Sequence, residues 1–207
     1  MHINKLSIQD ISNKYVYQLL MKRKFVIPYL HTYWNRLFST DTNWTELYFL
    51  INKVLIDNRV KQYRYKLIHN IIATNDNLFK WRIAMSPNCT TCGSIETMQH
   101  FFIECNCISN FWTHILNILE QCGVSKPFNN LKCLILGYKI DFRECNLLNV
   151  LLSYIGFSIY KGYYISERRS KPIDITKLLR SELHFLTKYY KKHKIPCQLL
   201  LKFLEQL

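Results

Sequence analysis

The chain has 207 residues and a mass of 25.0 kDa, enough for one domain or for one domain with an appendage. Apolar residues make up 49% and charged residues 20%, which excludes general disorder. Only five Gly and five Pro occur, which argues against turn-rich sandwiches, barrels and propellers. Lys and Arg number 28 against 14 Asp and Glu, a net charge of +14 that favours a polyanionic partner.

The sequence gives no sign of secretion or membrane insertion. Its amino end, MHINKLSIQD, carries no apolar signal segment. The longest apolar stretch, Leu147 to Ile165, contains polar residues, glycines and four tyrosines, so it predicts a buried helix rather than a membrane span. The eight cysteines therefore indicate a reduced, intracellular protein of the nucleus or cytoplasm instead of a disulfide framework.

Apolar spacings of three and four predict helices through the first 83 residues. The expected helices are Ile8–Arg23, Tyr29–Phe38, one capped by Asn43, Arg59–Ile72, and a short one capped by Thr74 or Asn75. In the fourth of these, an apolar arc is formed by Val60, Tyr63, Leu67 and Ile71, and a polar face by Arg59, Gln62, Lys66 and His69.

Helices are also predicted for most of the chain after residue 106. They cover Cys107–Gln121, ended by Gly123, then Glu144–Ser166, a helix from Pro172 to Lys192, and a short terminal one from Pro196. Residues 127–141 are compatible with either a short strand or a buried helical turn. We therefore expect an all-α fold, a helical domain interrupted by a CCHC zinc knuckle. Its segments are 1–73, 74–121 and 122–207, folded as one compact unit.

A metal-binding pattern lies in the middle of the chain. Cys89, Cys92, His100 and Cys105 form a C-x2-C-x7-H-x4-C arrangement. Zinc prefers four tetrahedral thiolate or imidazole ligands, and a two-residue gap lets one turn direct both sulfurs at one ion. Gly93 relieves the backbone at that turn. Four protein ligands leave no open coordination position, so the pattern predicts structural Zn²⁺.

The identity of the fourth ligand is the open point of this pattern. Cys107 is an alternative to Cys105, but His100 and Cys105 have the separation of two positions about one helical turn apart, which favours Cys105. The remaining cysteines have no partnering pattern and are expected in the core. They are Cys122, Cys133, Cys145 and Cys197.

The sequence around this pattern resembles the reverse-transcriptase zinc-binding region near the carboxyl end of the second open reading frame of LINE-type (non-LTR) retrotransposons. The resemblance covers most of the chain, and its specific motifs lie between Arg64 and Trp112. The matching residues are Thr74, Asn75, Leu78, Phe79, Ser86, Pro87, Cys89, Cys92, Glu96, Thr97, His100, Phe102, Glu104, Cys105, Phe111 and Trp112.

The resemblance implies a helper of a polymerase rather than the polymerase. The family's nucleotidyl transfer needs carboxylates that hold two metal ions, typically in a Tyr/Phe-x-Asp-Asp motif, and no two acidic residues are adjacent in this sequence. It also shows no match to the family's endonuclease domain. We therefore expect a non-enzymatic carboxyl-terminal fragment, or a degenerate remnant, of such a polyprotein.

Two basic regions are candidates for nucleic-acid contact. On the Pro172 helix a row of single-sign charge lies opposite an apolar stripe, a pattern typical of phosphate tracking. A second region interleaves cations with Tyr63, Tyr65, Phe79 and Trp81. Exposed rings could stack on unpaired bases, although the spacing favours core packing for each ring. The candidates are Arg59, Lys61, Arg64, Lys66, Lys80, Arg82, Arg168, Arg169, Lys177, Arg180, Lys188 and Lys191, with His184 in the same row and Lys171, Lys192 and Lys194 extending it.

The sequence therefore suggests sequence-tolerant binding of RNA or single-stranded DNA, with the knuckle fixing the angle between basic helices. By resemblance, the task would be to hold template RNA or target DNA while a polymerase elsewhere in the polyprotein copies it. An alternative is a protein-interaction scaffold that docks to that polymerase, with incidental charge. Neither reading includes a membrane or a small-molecule substrate.

Overall fold

Helices make up most of the molecule. The computed structural model describes residues 28–124, 130–137, 145–169 and 174–207. The described helices are α1 (Tyr29–Leu37), α2 (Trp44–Phe49), α3 (Asn58–Ile68), α4 (Asn75–Lys80), α5 (Asn106–Gln121), α6 (Leu131–Leu136), α7 (Cys145–Arg169), α8 (Ile175–Lys192) and α9 (Gln198–Gln206), with π-helical turns at Leu50–Val54 and His100–Glu104. In these ranges the strand-like pairing is one antiparallel bridge between Asn88 and Ile95. The predicted all-α fold is confirmed.

The chain divides into two compact units, Met1–Asp41 and Thr42–Leu207. The sequence did not indicate this boundary, because the helical pattern continues on both sides of it. In the first unit the described part contains α1, where the rings of Trp34 and Phe38 stack with centroids 5.6 Å apart. The metal-binding pattern and both basic regions belong to the second unit.

The central element of the second unit is α7. Every residue from Val150 to Ile159 is buried, as expected for a helix with neighbours on all sides. It packs against α3, α6, α8 and α9. Fully burying one large apolar side chain stabilises a fold by about 1.5–3 kcal/mol, so this helix supplies much of the core.

Several helix starts are set by side chains that accept hydrogen bonds from the first turn, which satisfies otherwise unpaired amide groups. Asn43 accepts from the amide of Glu46 (3.2 Å), and Thr74 accepts from that of Asn77 (3.3 Å). Both caps were predicted, and Thr74 rather than Asn75 caps α4. Asp174 performs the same role at the start of α8.

Two local predictions are settled by the backbone. The ambiguous residues 127–141 contain a helix, α6, among those described. The apolar arc of α3 is shorter than predicted, because the helix ends at Ile68 and Asn70 adopts a left-handed conformation (φ 50°). Ile71 is therefore 43% exposed rather than part of the core. The predicted helix Ile8–Arg23 lies outside the described residues.

The cysteines outside the knuckle are less uniformly buried than predicted. Cys197 is buried, whereas Cys122 and Cys133 are only half-buried, and the side chain of Cys145 lies outside the described part. All cysteines whose side chains are described are free thiols. Among the described helices, none combines the length and the apolar character that crossing a membrane requires.

Candidate metal centre and nucleic-acid interface

The first half of the knuckle is a small hairpin. The amide of Cys89 donates to the carbonyl of Ser94 (2.7 Å), and the amide of Gly93 donates back to the carbonyl of Cys89 (2.9 Å). Gly93 has a φ of 77°, in the left-handed region where a side chain would be strained. Gly93 therefore relieves the backbone at this turn, as predicted.

The second half of the knuckle is a helical turn that presents the other two ligands. Thr97 Oγ1 accepts from the amide of His100 (3.1 Å). A π-helical turn follows, closed by the amide of Cys105 donating to the carbonyl of His100 (2.9 Å). One wide turn therefore places His100 and Cys105 on the same side of the backbone.

The four predicted ligands converge. One ligand atom from each of Cys89, Cys92, His100 and Cys105 lies within 4.8 Å of all the others. The sulfurs of Cys89 and Cys105 are 3.9 Å apart, and the Cys92 sulfur is 3.3 Å from Nε2 of His100. A tetrahedron with Zn–S bonds of about 2.3 Å has sulfur–sulfur edges of about 3.8 Å. The geometry and the ligand types therefore fit Zn²⁺.

The cluster distinguishes the two candidates for the fourth ligand. Cys105 is a member, whereas the exposed Cys107 is not, although their sulfurs are 3.1 Å apart. Cys107 lies in the first turn of α5 and Cys105 immediately precedes that helix. The preference for Cys105 is therefore supported by the geometry.

The thiols differ in how readily they ionise. Burial raises the pKa of Cys89 and raises that of Cys105 to about 11. Hydrogen bonding from the backbone of Ser94 lowers the pKa of Cys92. Zn²⁺ binds the thiolate form, so its binding would displace protons from Cys89 and Cys105.

A buried carboxylate joins the knuckle to the helices around it. Glu96 is 1% exposed, and its Oε1 accepts from the backbone amide of Asn75 (2.9 Å) at the start of α4. The hydroxyl of Tyr163, on α7, also contacts this carboxylate (3.4 Å). A negative charge at a helix N-terminus is stabilising. The sequence marked Glu96 only as a motif residue and gave no sign of this role, because its partners are distant in the chain.

The motif tryptophan fixes the other side of the knuckle. Trp112 on α5 donates its indole N–H to the carbonyl of Phe102 (2.7 Å), inside the π-helical turn. The ring of Phe101 packs edge-on against Tyr163, with centroids 4.7 Å apart. The ligand-bearing turn is therefore held between α5 and α7.

Residues 12–112 match the family model described as zinc-binding in reverse transcriptase. The match supports a reverse-transcriptase zinc-binding region. It spans just under half of the chain and includes all four metal ligands. Comparisons with curated proteins and with solved structures found no match.

Several cations near the zinc-binding region are already paired within the protein. Arg59 donates to Asp57 (2.6 Å) and to the buried Glu182 (3.0 Å), and Lys161 reaches the same Glu182 (2.6 Å). Charged hydrogen bonds of this kind are strong when a partner is buried. Arg59 is therefore chiefly a link between α3 and α8, although its side chain is 55% exposed.

Arg64 is not on the surface as predicted. Its side chain is 2% exposed, and its guanidinium donates to the carbonyls of Leu134 and, at 2.8 Å, Ile135. These carbonyls lie in the last turn of α6, which has no further helical turn to bond them and carries partial negative charge. Burial lowers the pKa of Arg64 to about 10. Arg64 therefore ties α3 to α6 and is excluded from the interface.

The other cations of this region are accessible to different degrees. Lys61 is half-buried and donates to the carbonyl of Asn52 (3.2 Å). Lys80 forms an exposed pair with Asp76 (2.6 Å), and such surface pairs contribute at most about 1 kcal/mol. Lys66 and Arg82 are exposed. Fewer of the cations in this region are therefore fully accessible to a ligand than the sequence suggested.

The cationic row, which we define as Lys177, Arg180, His184, Lys188 and Lys191, lies on the solvent side of α8. In the described structure, only Lys177 of this row approaches a carboxylate, that of Asp174 at 3.7 Å. The helix buries its other side through Leu179, Leu183 and Leu186. Lys192 and Lys194 are exposed beyond it, whereas Lys171 and the side chains of Arg168 and Arg169 lie outside the described part.

The aromatic residues of the second basic region differ in how far they are buried. Tyr63 is buried, as its spacing predicted, but Tyr65, Phe79 and Trp81 are each between 44% and 53% exposed. The prediction of core packing was therefore wrong for Tyr65, Phe79 and Trp81. These rings face the solvent beside the zinc-binding region.

Proposed function

We propose that this chain is a non-catalytic, zinc-binding carboxyl-terminal part of a LINE-type (non-LTR) retrotransposon reverse transcriptase and that it binds RNA or single-stranded DNA. Zn²⁺ is the expected cofactor, and its role is structural. Support comes from the four converging ligands, the family match and the LINE-type motifs around them. The absence of adjacent acidic residues in the sequence agrees with a non-catalytic part.

The observation that carries nucleic-acid binding is the cationic row on α8. Its ends, Lys177 and Lys191, are about 21 Å apart along the helix at about 1.5 Å per residue. Its only carboxylate neighbour in the described structure is the exposed Asp174, at 3.7 Å from Lys177. A face of one sign and this length can contact several phosphates of one strand without reading bases.

The zinc-binding region serves this function by setting the positions of the helices. Glu96 connects it to α4 and, through Tyr163, to α7, against which α8 packs. The metal centre and the cationic row therefore belong to one packed unit. Binding of Zn²⁺ keeps the exposed cations around Lys80 and Arg82 in fixed positions relative to α8.

Salt dependence of affinity is the first test. Each phosphate contact on a single strand contributes about −0.7 to the slope of log affinity against log salt concentration. The four permanently charged members of the cationic row predict a slope of about −2.8. Fluorescence anisotropy with a labelled single-stranded RNA measures it, and a slope near zero would contradict the proposal.

A charge-reversal variant locates the interface. Lys177, Arg180 and Lys188 are all exposed, so changing them together to Glu should leave the fold intact and lower RNA affinity at least tenfold. The matched control changes Arg36, Lys53 and Lys202 to Glu. These three residues are also exposed, and their substitution alters the net charge by the same amount. Equal loss in both variants would show that the net charge acts rather than this face.

A protein-interaction scaffold is the second candidate, and one observation favours it. The zinc-binding region exposes a group of large apolar side chains, of which Met85 is 98% exposed and Ile83 is 69% exposed. Phe79, Trp81 and Ile95 in this region are exposed as well. Exposed apolar patches mark interaction sites. If RNA affinity survives the triple reversal of the cationic row, docking to a polymerase becomes the better explanation.

A further inference from the structure

A cavity of about 380 Å³ lies between α3 and α7, away from the metal ligands. Its walls include the rings of Phe157, Tyr160 and Tyr164, and its charged groups are Lys66 and Lys161. Small-molecule and base pockets are typically 300–1,000 Å³, mostly apolar, with a few polar groups. The volume and lining of this cavity fall within that description.

The aromatic walls are held in place before any ligand arrives. Tyr160 and Tyr164 meet edge to face with centroids 4.8 Å apart. The hydroxyl of Tyr164 donates to the carbonyl of Ala73 (2.9 Å), which fixes the orientation of its ring. A preformed aromatic surface loses little entropy when a flat ring stacks on it.

The two ammonium groups retain hydrogen-bonding capacity. Lys66 Nζ contacts the hydroxyl of Tyr160 (3.3 Å) and lies 5.8 Å from the centroid of that ring. Lys161 Nζ donates to Glu182 (2.6 Å). Each ammonium has three donors, so both can still bond a phosphate oxygen at the rim of the cavity.

We infer that this cavity binds one unpaired nucleobase of a bound strand, stacked on one of the rings of Tyr160 and Tyr164 and in edge contact with the other, with the adjoining phosphate held by Lys66 and Lys161. The inference rests on the proposed function and narrows its ligand to single-stranded nucleic acid. A base in a duplex is paired and stacked, and it would have to leave the helix to enter. A purely apolar ligand would leave the remaining donors of the two ammonium groups unused.

The test compares two strands of equal length and charge, one of thymidine nucleotides and one of abasic sites. Stacking of one base on aromatic side chains favours the thymidine strand by about five- to a hundred-fold. Ile71 lines the cavity and is 43% exposed, so Ile71→Glu places a negative charge there without disturbing the core. We expect Ile71→Glu to lower the ratio of the affinity for the thymidine strand to that for the abasic strand to nearly one.

The matched control is Ile195→Glu, which makes the same change at a residue that is 40% exposed and outside the cavity. It should keep the preference. Lys66→Glu, compared with Lys53→Glu, provides a second pair, because both lysines are exposed and only Lys66 lines the cavity.

The outcomes separate the two proposals. Equal affinity of the wild-type protein for both strands overturns the base pocket and leaves phosphate binding by α8 intact. A preference that survives both Ile71→Glu and Lys66→Glu also overturns it. Failure of both strands to bind would contradict the proposed function itself, and the pocket with it.

Discussion

Gly156 of α7 lies directly against the hydroxyl group of Tyr63 on α3. A β-carbon at position 156 would overlap that hydroxyl and come within 3.2 Å of Cζ of the same ring. The hydroxyl is buried and has no hydrogen-bond partner within the described residues. The two helices therefore pack through a glycine on one side and an aromatic ring on the other.

This contact predicts a compensating pair of substitutions. Gly156→Ala should lower the free energy of unfolding by about 1–3 kcal/mol, the usual cost of overpacking a core. Tyr63→Phe removes the overlapping oxygen and should restore most of that loss. Urea denaturation of both single variants and the double variant measures the coupling. Gly162→Ala, where the nearest atom is Ile175 Cγ1 at 3.1 Å, is the control and should change stability little. Additive effects of Gly156→Ala and Tyr63→Phe would contradict the contact.

The metal centre predicts which cysteine binds Zn²⁺. Purified protein should contain about one zinc ion per chain, measured by atomic emission. Cys105→Ser should lower the zinc content sharply and the thermal midpoint with it, because a structural zinc site stabilises the fold around it. Cys107→Ser is the matched control, since Cys107 is an exposed thiol two residues away and outside the cluster. The reverse pattern would make Cys107 the fourth ligand.

A substitution of Arg64 should lower the stability of the fold without changing RNA affinity. Arg64→Lys keeps the charge but loses the planar group that reaches two carbonyls of α6 at once. We expect a loss of about 1–3 kcal/mol, because a buried acceptor is left unpaired. Arg82→Lys, at an exposed position, should have almost no effect on stability. RNA affinity of the folded Arg64→Lys protein should equal that of the wild type.

The parts of the fold that depend on residues close together in the sequence could be predicted from it. The zinc ligands fall within 17 residues of one another, and the spacing of C-x2-C and H-x4-C already implies two turns facing one ion. The cationic row on α8 was predictable for the same reason, because helical periodicity alone places its members on one face.

The parts that depend on distant partners could not be predicted. Arg64 and Lys66 are two residues apart in a basic stretch, yet only Arg64 is buried, since its partners are some 70 residues later in α6. That segment was itself ambiguous in the sequence. The cavity between α3 and α7 likewise brings together residues about 90 positions apart.

Asp57 predicts how stability responds to acid. Burial alone would raise the pKa of this carboxyl, but hydrogen bonds from the guanidinium and backbone amide of Arg59, and the charges of Arg59 and Lys161, lower it below its ordinary value of 3.8. A group whose pKa is lowered on folding stabilises the protein above its unfolded pKa. This contribution is lost as the pH falls from about 4 through the pKa of Asp57 in the folded protein.

Urea denaturation between pH 2 and pH 6 measures this contribution. In Asp57→Asn the carboxyl is gone, so the free energy of unfolding should be lower than that of the wild type at pH 6 and should decline less steeply below pH 4. Arg59→Gln removes the guanidinium but keeps the backbone amide, so the pKa of Asp57 in the folded state should move closer to its unfolded value and the decline below pH 4 should become smaller. Both variants should therefore flatten the acid-induced decline relative to the wild type. Identical slopes for the wild type and Asp57→Asn below pH 4 would show that another group, and not the Asp57–Arg59 pair, controls the acid response.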